Sequence, residues 1–200
     1  KLELASTISK VDLLFDLVNE FPELQGVLGG YFAESQGFEK EVCLAVSEHY
    51  LPSGLNSRTP KNNYSIALSL SDKLDTLVGF FGLDLVPTSS KDPYALRRMA
   101  IGLIKLIIEN KKSFKLKEMI DYSCQLYNNQ SINFDRKSVH TNLSIFIIDR
   151  LKNYMKEKGI RLDIIESSLI DFDLNNIFVI FTKAYRLNKV IKKQVGIDLI

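Results

Sequence analysis

Apolar residues recur at intervals of three and four along nearly the whole of this 200-residue chain, a spacing that builds helices rather than strands. The clearest case lies between residues 64 and 81, where Ile66, Leu70, Leu74, Leu77 and Phe81 fall on one stripe. The same spacing predicts helices at about Leu4–Glu20, Pro22–Ser35, Glu39–Leu51, Tyr64–Phe81, Pro93–Asn110 and Leu116–Tyr127. Three more follow at about Arg136–Lys158, Leu162–Ile170 and Leu174–Lys193, with Gly159 as a stop signal. Polar breaks occupy 52–63 and 128–133, and only 83–88 has any strand character. The expected fold is all-α. Gly26, Gly29 and Gly30 are costly inside a helix, so close packing of Gly26, Gly30 and Ala33 on a neighbouring helix is expected.

With 46% hydrophobic and 25% charged residues, the chain can bury a core and is not disordered. No apolar run approaches the roughly 20 residues needed to span a bilayer. The chain starts at Lys1 without a secretory pattern, which suggests a cytoplasmic fragment of something longer. Cys43 and Cys124 are isolated and expected as small buried residues, consistent with a reducing compartment. Charge is uneven. Residues 1–100 carry 9 Lys/Arg against 13 Asp/Glu, and residues 101–200 carry 17 against 11, which hints at a polyanionic partner for the later half.

The run SKDPYALRR (90–98) concentrates several kinds of chemistry. Asp92 can cap a helix whose first position Pro93 suits. Arg97 falls on the apolar side of its helix, where a guanidinium needs a carboxylate. The expected partner is Asp72 or Asp75, from the non-apolar face of the preceding helix. Arg98 lies on a narrow polar stripe with Gly102, Lys105 and Glu109, and it and Lys91 are candidate phosphate contacts. In the last helix Arg186, Lys189 and Lys193 share a face away from the apolar stripe, and such a basic face can follow an RNA backbone without reading sequence.

Four motifs in order, FPELQGVLGGYFA (21–33), EHYLP (48–52), SDKLDTLVGFFG (71–82) and SKDPYALRRMAIG (90–102), resemble the β subunit of the two-subunit bacterial glycyl-tRNA synthetases. SKVDLLFDLVNEF (9–21) also resembles that family, with Phe15 where a Thr is expected, and FIIDRLKNYMKEKGIRLDII (146–165) follows its pattern. The resemblance implies an HD-domain-like helical domain over residues 1–130, then a helical linker bundle over 131–200 leading toward an anticodon-binding domain. It implies a chain that binds and positions tRNA(Gly), while the α subunit uses glycine, ATP and Mg. The implied partners are the α subunit, tRNA(Gly) and a second β subunit in a heterotetramer, with no membrane or DNA partner. The fragment itself is expected to be non-catalytic, with no cofactor, in a bacterial cytoplasm.

Two rival readings accompany it. The first is a metal-dependent HD-type phosphohydrolase, which needs His and Asp ligands to hold a metal over a phosphate. The only histidines, His49 and His140, are not followed by Asp, so no metal site is expected; His49 is expected to be hydrogen-bonded within the domain, near a helix end that favours a cation. The second is a purely structural helical scaffold.

Overall fold

The computed structural model describes residues 1–88 and 90–191. Among them are ten α-helices, three short 3-10 turns and no strand, so the all-α expectation holds. The helices are α1 (Leu2–Ile8), α2 (Asp16–Glu20), α3 (Val27–Ser35), α4 (Lys40–Glu48) and α5 (Asn63–Gly82). They continue with α6 (Leu96–Glu109), α7 (Leu116–Asn129), α8 (Arg136–Glu157), α9 (Leu162–Ser168) and α10 (Ile177–Ile191). Side chains mark several starts: Asn62 accepts from the Tyr64 N–H at 2.8 Å before α5, and Asp135 from the Lys137 N–H at 3.0 Å before α8. Gly159 stops α8 with a φ of 72°.

The main core gathers around α6, whose Leu96, Ala100, Leu103, Ile104 and Leu106 are fully buried. Helices α5, α8 and α10 all pack on it. The predicted stripe of α5 enters this core intact. So do Leu143, Ile147 and Leu151 of α8, and the core runs without interruption across residue 130. A smaller cluster at the other face of α5 joins Ala5 of α1, Val42, Ala45 and Val46 of α4, and Leu68.

The first two predicted helices are broken. Instead of one helix over 4–20 there is α1, a 3-10 turn at Val11–Leu14, and α2. The cause is Asp12, which is fully buried and accepts the Gly26 N–H at 2.5 Å. Turning this carboxylate inward rolls the chain out of register, leaving Leu14 82% exposed and Phe15 extended. Phe15 stacks on Phe32, with ring centroids 4.1 Å apart, and offers no side-chain cap to α2. Gly26 is not a packing residue within a helix. It precedes α3 at φ 81°, a conformation an L side chain would strain. Gly30 does pack closely on α4, its missing Cβ lying over Ser47 and the Cys43 carbonyl.

Beyond the exposed Arg98, the polar stripe of α6 does not face solvent. It is the track on which segment 52–59 is laid. Gly102 is buried under the Pro52 carbonyl, Lys105 donates to the Leu55 and Ser57 carbonyls at 2.5 and 2.7 Å, and Glu109 accepts from Thr59 at 2.6 Å. From α5, Lys73 holds the residues just ahead of that segment, donating to the Tyr50 and Leu51 carbonyls at 3.1 and 3.2 Å and to Ser69 at 2.9 Å. Two buried ammonium groups therefore hold one irregular segment by its carbonyls. Burial pulls the Lys73 pKa down to about 8.

Candidate nucleic-acid interface

The SKDP run forms a cap, but one displaced from its expected place. Helix α6 begins at Leu96, preceded by Ala95 in a left-handed conformation with φ 56°. Asp92 accepts the Leu96 N–H at 2.9 Å and the Arg97 N–H at 3.0 Å, so its carboxylate serves the first turn from outside the helix. Pro93 lies in the turn ahead rather than at the first helical position.

Arg97 does not pair with Asp72 or Asp75. It is half-buried beside Asp92, at 4.0 Å, and donates to the Thr88 carbonyl. The physical reason is proximity. Arg97 sits in the first turn of α6, where the incoming loop supplies a carboxylate and a carbonyl. Asp72 is instead engaged by Lys10 at 2.6 Å, and Asp75 accepts from Ser123 at 3.1 Å and Tyr127 at 3.4 Å toward α7.

Arg98, next to it in sequence, is exposed and makes no ion pair among the described residues. It lines a cleft of about 380 Å³ between the start of α6, the Gly54–Leu55 turn and the later half of α8. Arg150, Asn153 and Glu157 follow one another at three- and four-residue spacing along α8 and face this cleft together with Lys156. Leu55 and Ile101 supply apolar wall. Arg150 stands over the Phe146 ring at 5.3 Å, and its Nε is enclosed without a hydrogen-bond partner among the described residues. Only Arg98 of this set was picked out from sequence. Arg150 and Lys156 lie 52 and 58 residues later, on a helix whose cations look like an ordinary solvated face. Their three-residue spacing from Asn153 was the one available signal.

The other candidate cations are elsewhere. Lys91 is exposed on the loop before α6, its N–H bonded to the Thr88 hydroxyl at 3.2 Å. Arg186 and Lys189 are exposed on α10, with the Lys189 ammonium 4.5 Å from the Tyr185 ring centre. Lys193 lies outside the described residues.

His49 is fully buried after α4. Its Nδ1 lies 2.6 Å from the Val46 carbonyl, which can only accept, so Nδ1–H donates and Nε2 receives the Lys10 ammonium at 3.0 Å. Burial, and then the Lys10 charge, lower its pKa to about 4, so the ring is neutral where the helix end alone would favour a cation. The folded state thus resists a proton that the unfolded chain takes up below about pH 6.5. Stability should be full above that pH and fall as the solution is acidified, by about 2 kcal/mol at pH 5 from this residue alone. Urea titrations at pH 7 and pH 5 should show this loss, and His49→Gln should remove it. Among the described residues, no three or more His, Cys, Asp and Glu side chains come together as a metal would require. Nor is any helix there long and apolar enough to cross a membrane.

Fold and cleft together define an all-α protein with a concave, cation-lined face. Comparison with known proteins narrows that class to one family. A family model described as glycyl-tRNA synthetase beta subunit matches residues 1–170. The chain is 36% identical over 196 residues to the glycine–tRNA ligase beta subunit of Clostridioides difficile, covering 98% of this chain and 28% of that protein. It is 36% identical over 198 residues to that of Ruegeria sp., covering 99% and 27%. To that of Lawsonia intracellularis it is 40% identical over 163 residues, covering 82% and 24%. The chain belongs to the glycyl-tRNA synthetase beta-subunit family, and it spans about a quarter of the length of these relatives.

Proposed function

We propose that this chain is a tRNA-binding part of a glycine–tRNA ligase β subunit, positioning tRNA(Gly) for ATP-dependent glycylation at an active site carried by the α subunit in the cytoplasm. Relatives named as ligase beta subunits at 36–40% identity support the assignment of the complex. The single structural observation that carries the RNA role is the cation-lined cleft, where Arg98, Arg150 and Lys156 converge from two helices far apart in sequence. Its cations suit phosphate, whose bidentate geometry guanidinium matches. A scaffold that only joined other parts would have no use for such a concentration of unpaired cations.

Photo-crosslinking of tRNA(Gly) to the complete α–β ligase tests this. The expected result is crosslinks within residues 1–191, weakening steeply as salt is raised. A map in which every crosslink falls on other parts of the ligase would leave this chain a scaffold.

A further inference from the structure

We infer that the cleft between α6 and α8 takes one unpaired ribonucleotide of the bound RNA, its phosphate on Arg98, Arg150 and Lys156 and its base on the apolar wall of Leu55 and Ile101. The inference rests on the reading that this chain meets tRNA, and it adds the kind of RNA structure that is met.

Charge comes first. Four cations line the cleft against the single carboxylate of Glu157. Arg97 is answered by Asp92, whereas Arg98, Arg150 and Lys156 make no ion pair among the described residues. The Arg150 Nε is enclosed and has no acceptor there. The guanidinium's other nitrogens, which are not enclosed in this way, donate to no acceptor among the described residues, and these are the groups a phosphate oxygen in the cleft would meet. Most other buried polar groups nearby are satisfied: Lys105 has two carbonyls and Glu109, and Tyr154 donates to Glu109 at 3.4 Å.

Shape decides between kinds of RNA. At about 380 Å³ the cleft has the size of a small-ligand pocket. The phosphate rows of an A-form duplex are broad and convex, and they meet proteins across a shallow groove. A nucleotide splayed from a loop or an end can enter a concavity and lay its base on an apolar surface. Leu55 and Ile101 are half-buried and provide that surface at the side of the cationic wall.

The test uses the complete α–β ligase carrying Arg150→Met, which keeps the aliphatic stem and removes the guanidinium. Binding of tRNA(Gly) should weaken about tenfold, and the salt slope should fall by about one. Arg150→Lys should recover most of the affinity by restoring the charge. Thermal unfolding of Arg150→Met should stay close to the parent, because the guanidinium makes no hydrogen bond among the described residues and only its contact with the Phe146 ring is lost; a large drop would mark Arg150 as structural and overturn the inference. A short single-stranded RNA should compete with tRNA on the parent enzyme and lose that ability on the variant. Equal competition by a duplex of the same length would overturn the unpaired nucleotide. Competition by free ATP that disappears in Arg150→Met would assign the cleft to a free nucleotide instead. Unchanged tRNA affinity, with crosslinks elsewhere on this chain, would remove the cleft from the interface and leave the broader function standing. Loss of all crosslinks to this chain would remove both.

Discussion

Replacing Lys105 by alanine should lower the unfolding free energy of the chain by about 3 kcal/mol, measured by urea denaturation at neutral pH. The side chain is 5% exposed and donates to the Leu55 and Ser57 carbonyls, with Glu109 at 3.5 Å. Alanine leaves two part-buried acceptors without a donor and Glu109 without its ion partner. The cost is the desolvation of those acceptors more than the worth of any one bond. Methionine should do little better, since it restores volume and no hydrogen. A loss below about 1 kcal/mol would mean that water replaces the ammonium, and that segment 52–59 is held by something else.

Gly102→Val should be comparably damaging, by about 3 kcal/mol, and through the opposite defect. A Cβ at this position would lie 2.6 Å from the Pro52 carbonyl oxygen and 2.7 Å from Cε of Lys73. The first neighbour is backbone and cannot swing aside, so the segment must lift. Lifting it pulls the Tyr50 and Leu51 carbonyls from Lys73 and the Leu55 carbonyl from Lys105. Thermal unfolding with hydrogen exchange would separate the two variants. Lys105→Ala should loosen amides near 55–57, whereas Gly102→Val should loosen the whole of 50–59. A valine variant as stable as the parent would show that this track is not close-packed.

Helix periodicity made most of this fold legible in the sequence. The apolar stripes of α5 and α6 are local patterns, and each enters the core as its spacing demands. What escaped the sequence depended on a second element. Asp12 looks like one more polar position until Gly26 presents an N–H to it, and the predicted first helix breaks on that account. The polar stripe of α6 has the same pattern whether it meets water or a chain segment; only the carbonyls of 52–59 make it interior. Arg97 required a partner, as its apolar surroundings implied. Choosing that partner from the neighbouring helix overlooked the nearer Asp92. The cleft was legible in one part only, Arg98, because convergence with Arg150 and Lys156 is a property of the α6–α8 crossing.

The uninterrupted core across residue 130 has a consequence for how the chain comes into being. Helices α5 and α6 bury their inner faces partly against Leu143, Ile147 and Leu151 of α8, and α10 adds Ile177, Ile180 and Ala184. During synthesis those partners emerge from the ribosome many residues after α5 and α6 do. A nascent chain that ends before α8 therefore carries an uncovered apolar surface and cannot settle. Only the small cluster of α1, α4 and the near face of α5 has all its parts in hand by then. The N-terminal end of the chain can order early, and the cation-lined cleft, built half from α8, is among the last features to exist.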